Sequence, residues 1–213
     1  DVIGSGICLF GVLAAVLTVL MILGAGFLAG LMHAPNEAFS QTVDYIRICS
    51  AGAVFIIAYN VLGSIFRGIG DSRMPLFTVA AACVFNIGGD LLLVAGFHMG
   101  AAGAALATVA AQAAGVLLSL AVIRRRTLPF TIGKKNLRFE RRLVGKILAL
   151  GTPIALQDLL VSISFLVILA IVNSMGVIAS AGVGVAEKLC AFIMLVASAY
   201  MQSMSAFVAQ NMG

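Results

Sequence analysis

The chain has 213 residues, 62% of them hydrophobic and 10% charged, with no Trp, and 13 Lys and Arg against 8 Asp and Glu leave a net charge of +5. A soluble globular domain carries roughly half apolar and about a quarter charged residues, so a soluble enzyme is excluded and a mean hydropathy of +1.15 points to the bilayer. The apolar runs are long and do not alternate, which argues against a strand-built barrel.

About 20 residues at ~1.5 Å each cross a ~30 Å hydrocarbon layer. Six helical spans are predicted on that basis, at about 7–31, 46–66, 76–97, 101–123, 147–172 and 180–209. The chain opens on Asp1 rather than Met and reaches its first apolar run within a few residues, so it reads as a piece of a longer membrane protein. That first run, holding Cys8, is too long for the apolar core of a signal peptide. Its following connection, Met32 to Tyr45, holds Glu37, Asp44 and His33 but no Lys or Arg.

The second span carries Cys49, Tyr59 and Asn60, the last two as candidate cavity liners. Arg67 and Arg73 lie in the connection Arg67 to Pro75, where glycines permit a tight reversal. Asp71 can cap the next helix, and Pro75 falls in its first turn, where no N–H partner is lost.

The third span holds Cys83 and the strongest candidate of the chain, Asp90. An ionisable group at membrane depth is costly unless it faces partners or water, which makes it a functional candidate. Asn86 precedes it by four residues, so amide and carboxylate share one helix face, one turn apart. A connection of only His98 to Gly100 makes the fourth span antiparallel and adjacent. Counting inward from the turn places Asp90 level with Thr108, and Asn86 level with Gln112. The fourth span has 12 Ala or Gly among residues 101–123, which allows close backbone approach. A carboxylate, an amide and a hydroxyl at one depth offer hard oxygen ligands for a small cation, or a seat for a proton. The alternative is a structural acid, tied by Asn86, that glues two helices together.

Next come Arg124, Arg125, Arg126, Lys134, Lys135, Arg138, Arg141, Arg142 and Lys146, nine cations against the single acid Glu140. With Arg67 and Arg73 on the same side, the positive-inside rule places this side in the cytoplasm. The charge thus reports topology and contact with anionic lipid rather than nucleic acid. The fifth span follows with Gln157 and Asp158 just after Pro153, whose missing N–H leaves the Ala149 carbonyl without its usual donor. Broken helices at membrane depth often line cavities, so Gln157 and Asp158 are candidate liners. The sixth span holds Glu187, Lys188, Cys190, Gln202 and a group of Met residues; Gln202 is a further liner, and Glu187 and Lys188 read as entrance or interface residues. The cysteines show no CxxC spacing, His33 and His98 stand at helix ends, and no cofactor, metal cluster or nucleophile is expected.

The stretch Arg67-Gly68-Ile69-Gly70-Asp71-Ser72-Arg73-Met74-Pro75 resembles the turn between helices four and five of the multidrug and toxic compound extrusion (MATE) transporters. Further matches run in order: Asn86-Ile87-Gly88-Gly89-Asp90, Gly103 to Thr108, Gly151-Thr152-Pro153, Asn173-Ser174-Met175-Gly176 and Gln210-Asn211-Met212-Gly213. The resemblance implies an all-α, polytopic bundle equivalent to about helices three to eight of a twelve-helix, two-lobed transporter. Residues 1–123 would be part of the N-terminal lobe, 124–146 a basic cytoplasmic linker, and 147–213 the start of the C-terminal lobe.

In the DinF-like branch, a cation site uses an Asn and an Asp one turn apart on helix five and a Thr on helix six, which Asn86, Asp90 and Thr108 match. An Asp on helix one completes it and falls outside this chain. Another branch carries a Glu on helix seven; here the corresponding stretch is Leu159-Leu160-Val161-Ser162, leaving Asp158 without a family role. The resemblance implies a monomeric antiporter of the bacterial inner membrane that exports amphipathic or cationic organic compounds in exchange for H⁺ or Na⁺. A lipid-linked oligosaccharide flippase of the same superfamily and a non-transporting membrane scaffold are the alternatives.

Overall fold

The computed structural model describes residues 2–31, 36–125 and 138–212. The elements among them are helices α1 (Val2–Leu31), α2 (Asn36–Ala51), α3 (Ala53–Gly68) and α4 (Arg73–Asp90), a π-helical segment (Leu91–Gly96), then α5 (Gly100–Arg125), α6 (Arg141–Ser174) and α7 (Val177–Met212). No strand occurs among the described residues. Among the described residues five helices are long and apolar enough to cross a membrane, or six segments if the bent pair α2 and α3 counts as one span. The chain is thus a polytopic helical membrane protein.

The chain divides into two compact units, Asp1–Glu140 and Arg141–Gly213. Within the first, α5 packs against α2, α3 and α4, while α1 packs against α2 and α3. Much of what lies inside is small: Gly4, Ser5, Ala14, Ala25 and Ala29 of α1 are buried, as are Gly103, Ala105, Ala107, Ala111, Gly115 and Ser119 of α5, beside the larger Leu9, Leu62, Phe66, Met74 and Val116. Large apolar side chains point outward instead, with Leu23 80% and Phe27 75% exposed. That inversion is what lipid dictates, because tails solvate Leu and Phe as well as a core would, and close packing of small residues holds helices together. Within the second unit α6 and α7 pack on one another, and their large apolar residues are likewise exposed.

The turn before α4 forms as its sequence dictates. Gly70 has φ +86°, and the bonds Gly70 N–H to Arg67 O (3.1 Å) and Asp71 N–H to Phe66 O (2.9 Å) close α3 in a Schellman motif. Asp71 Oδ1 then accepts from Arg73 N–H and Met74 N–H, both at 3.1 Å. Pro75 stands in the first turn of α4.

Three expectations are corrected. The second span is not one helix over 46–66: winding begins at Asn36, inside the expected connection, and breaks near Gly52, with arms Ala38–Ala51 and Ala53–Gly68 at 51°. The early part, with Gln41, Thr42 and Asp44, is too polar to register as an apolar run yet helical all the same. Helix α6 passes through Pro153 unbroken; one lost backbone bond is tolerated in a membrane helix whose neighbouring groups readjust. It also begins at Arg141, so the cations Arg141, Arg142 and Lys146 belong to a helix rather than to a connection. His33, Arg126, Lys134 and Lys135 lie outside the described residues.

Candidate functional site

Asn86 and Asp90 occupy the last turn of α4, with Asp90 its final residue. The Asn86 amide donates to the Thr108 hydroxyl across the helix pair at 3.4 Å, and that hydroxyl donates to the Ala104 carbonyl at 2.9 Å. The backbones are close: a Cβ built on Gly89 would stand 3.0 Å from the Cβ of Ala107. A stripe of glycine and alanine therefore lets two polar side chains meet at membrane depth. Asp90 Oδ1 is buried and, among the described residues, accepts no hydrogen bond; the same holds for Gln112 Oε1 and, on α1, Thr18 Oγ1. Most buried polar atoms have a partner, so an unpaired carboxylate oxygen marks a position that a cation or proton can satisfy.

The π segment begins immediately after Asp90, with Phe97 N–H donating to Leu92 O, five residues back, at 2.9 Å. Such segments are rare, and they recur at functional sites. It also explains a shift in register. Asn86 meets Thr108 rather than Gln112, and a Cβ on Gly103 would touch Leu93 at 3.2 Å. The pairing is offset by about half a turn to one turn from an all-α count, because the wider winding packs more residues into the same length. Asp90 consequently stands opposite residues of α5 nearer the turn than Thr108.

One residue of this neighbourhood escaped the sequence. Tyr45 on α2 faces Cys49 and lies within electrostatic reach of Asp90. Tyr45 also lines two cavities. One, of about 390 Å³, has Leu17, Met21, Ile46, Cys49, Ser50 and Ala53 as its other walls; the second, of about 310 Å³, adds Ala38, Gln41, Thr42 and Ala101. The only available signal was an aromatic with a polar tip at the edge of an apolar run.

None of Tyr59, Asn60, Gln112, Gln157, Asp158 and Gln202 borders these two cavities. Tyr59 hydrogen-bonds to Thr78 and packs over Gly115, where a Cβ would fall 2.6 Å from its ring. Asn60 is exposed and donates to Ile56 O at 2.8 Å. Gln157, Asp158 and Gln202 are exposed within the second unit, Lys188 is exposed and Glu187 half-buried. The four cysteines carry free thiols. Among the described residues no three His, Cys, Asp or Glu side chains gather as a metal cluster would require. This chain therefore contributes one carboxylate, with an amide and a hydroxyl beside it, to any cation held here.

Comparison with known proteins sets this geometry in context. The MatE family model matches residues 1–92. The probable multidrug resistance protein YpnP of Bacillus subtilis is 32% identical over 184 residues, covering 86% of this chain and 41% of that protein. The multidrug export protein MepA of Staphylococcus saprophyticus is 25% identical over 202 residues, covering 94% of this chain and 45% of its own length. The chain thus spans less than half the length of these curated relatives.

Among solved structures, an inward-facing multidrug resistance MATE family transporter of the MOP superfamily aligns with TM-score 0.61 and 26% identity over 68% of this chain and 33% of that one. A MOP superfamily transporter from Pyrococcus furiosus aligns with TM-score 0.86 over 98% of this chain and 48% of that one; its 23% identity speaks for the fold alone. Helical membrane architecture and sequence converge: residues 1–92 match the MatE family, a family of transporters rather than enzymes, and the chain as a whole is similar to a piece of such a transporter.

Proposed function

We propose that the intact protein to which this chain belongs is a secondary antiporter. It exports amphipathic or cationic organic compounds across the bacterial inner membrane in exchange for H⁺ or Na⁺. Asp90, Asn86 and Thr108 receive the coupling ion, as their match to the DinF-like motif implies. The observation that carries this reading is the buried, unpaired Oδ1 of Asp90, one turn beyond the Asn86 amide that bonds Thr108. The names of the relatives, a probable multidrug resistance protein and a multidrug export protein, support the substrate class.

Ion occupancy drives transport only if the inward- and outward-open states bind the ion with different affinity. Burial in a medium of low dielectric disfavours a carboxylate's charge, whereas a bound cation favours it. One group therefore suits exchange between a proton and a metal ion. In this reading the cations of 67–75 and 124–146 face the cytoplasm and its anionic lipid, residues 1–123 and 147–213 belong to two lobes, and the protein acts as a monomer with no cofactor and no nucleic acid partner.

The test is ion-driven efflux by the full-length protein in proteoliposomes. Asp90→Asn is expected to abolish dependence on the ion gradient; efflux that stays coupled in this variant overturns the assignment.

A further inference from the structure

The break between α2 and α3 has no proline to cause it. Gly52 keeps a helical hydrogen bond from its N–H to Ile48 O at 3.0 Å, and its carbonyl accepts from Phe55 N–H at 2.9 Å and Ile56 N–H at 3.2 Å. Its φ of −84° and ψ of 0° depart from helical winding only in ψ. The chain therefore bends without unravelling, and sharp bends need an identifiable cause.

Here the cause comes from the side. Gly52 is buried against Val109 of α5, and a Cβ at position 52 would lie 2.9 Å from the Val109 Cβ and closer still to its methyl groups. A β-branched side chain has few rotamers with which to retreat. Val109 thus fills the notch where the missing side chain of Gly52 would be. Beside the bend lies the 390 Å³ cavity, walled by Cys49 and Ser50 from α2, Ala53 from α3, and Leu17 and Met21 from α1. This space is a groove open at the protein surface, with Leu17 45% and Met21 39% exposed, and a bent element next to open volume has a second packing available to it.

We propose that Gly52 is the pivot of a hinge within this span, that Val109 is the wedge holding it bent, and that the cavity beside α1 is the space the two arms exchange as the span straightens. Tyr45 travels with the α2 arm, so hinge motion changes its separation from Asp90. That consequence rests on the proposed coupling site; the hinge itself does not.

The experiment is a distance measurement by pulsed electron paramagnetic resonance on the full-length protein in lipid nanodiscs. Native cysteines are replaced by serine, and spin labels are placed at Gln41→Cys on one arm and Ser64→Cys on the other, both exposed positions. From the 51° bend and ~1.5 Å per residue, full straightening lengthens the separation by about 3 Å. Val109→Ala removes the wedge without adding an atom and is expected to populate the longer distance. Gly52→Ala, whose Cβ meets Val109, enlarges the wedge and is expected to keep the short distance. An unchanged distribution in Val109→Ala overturns the hinge whatever the second variant does. Efflux by Asp90→Asn is scored separately, so failure of the coupling site and failure of the hinge are read by different instruments.

Discussion

Asn86 on α4 and Thr108 on α5 are joined by a single side-chain hydrogen bond of 3.4 Å that crosses the closest helix pair of the first unit. Thr108 spends its own proton on the Ala104 carbonyl at 2.9 Å, so its hydroxyl faces Asn86 only as an acceptor. Thr108→Val keeps the shape and removes the oxygen. Since such bonds contribute about 0.6 kcal/mol on average within membranes, thermal unfolding in detergent is expected to change little. Ion-driven efflux is expected to fall several-fold, and equal losses in stability and transport would mark Thr108 as structural only.

Gly89 faces Ala107 so closely that a built Cβ lies 3.0 Å from that of Ala107, and a side chain there fits only if the neighbour gives by a few tenths of an ångström. Gly89→Ala is expected to cost about 1–3 kcal/mol, as overpacking usually does. Ala107→Gly in the same chain should return most of the loss. The check is a double-mutant cycle in urea or by thermal melting, where additive effects would show that the two residues do not touch in the folded protein.

At the turn before α4, Gly70 adopts φ +86°. An L-residue with a side chain pays about 1–2 kcal/mol for that left-handed conformation, so Gly70→Ala should lower the melting temperature and Gly70→Asn should do so less. Asp71→Ala leaves the Arg73 and Met74 N–H groups without their shared acceptor and should cost about 0.5–2 kcal/mol, the usual range for a lost cap.

Ser5 is 1% exposed and reaches 133 residues along the chain to donate to the Arg138 carbonyl at 2.9 Å. Its oxygen also accepts from the Glu140 N–H at 3.4 Å. Ser5→Ala removes both bonds from the backbone of Arg138 and Glu140. Limited trypsin digestion of the full-length protein is expected to cut at Arg138 several times faster in the variant; identical cleavage rates would show that this clasp does not hold the segment.

The sequence made the apolar spans legible because lipid requires long uninterrupted runs, and five of the six came through with ends moved by a few residues. The pairing of α4 with α5 was legible too, since three residues between spans leave no other neighbour. Asn86 and Thr108 did meet. What escaped was everything set by neighbours rather than by the local chain. The break at Gly52 depends on Val109, 57 positions later in the chain, and a lone glycine in an apolar run gives no warning of it. The π segment consists of Leu, Val, Ala and Gly, residues equally at home in an α-helix, so its winding and the register it imposes had no signature. Tyr45 was assigned to a connection because polar residues surround it, yet the amphipathic start of α2 carries it to Asp90.

The π segment also fixes a phase. Each residue of an α-helix turns the chain by about 100°, and a π turn arises where one residue more than the α pattern allows is accommodated. Excising a single leucine from Leu91–Gly96 would therefore return this stretch to ordinary winding without touching Asn86 or Asp90. Because the extra residue is absorbed within the wider turn, the hairpin at His98 would keep nearly its present angular phase, and α5 would go on presenting the same face to the carboxylate. A one-residue deletion in this turn would therefore leave the surroundings of Asp90 nearly as they are, whereas the same deletion in the regular part of α4 would turn everything beyond it by about 100°.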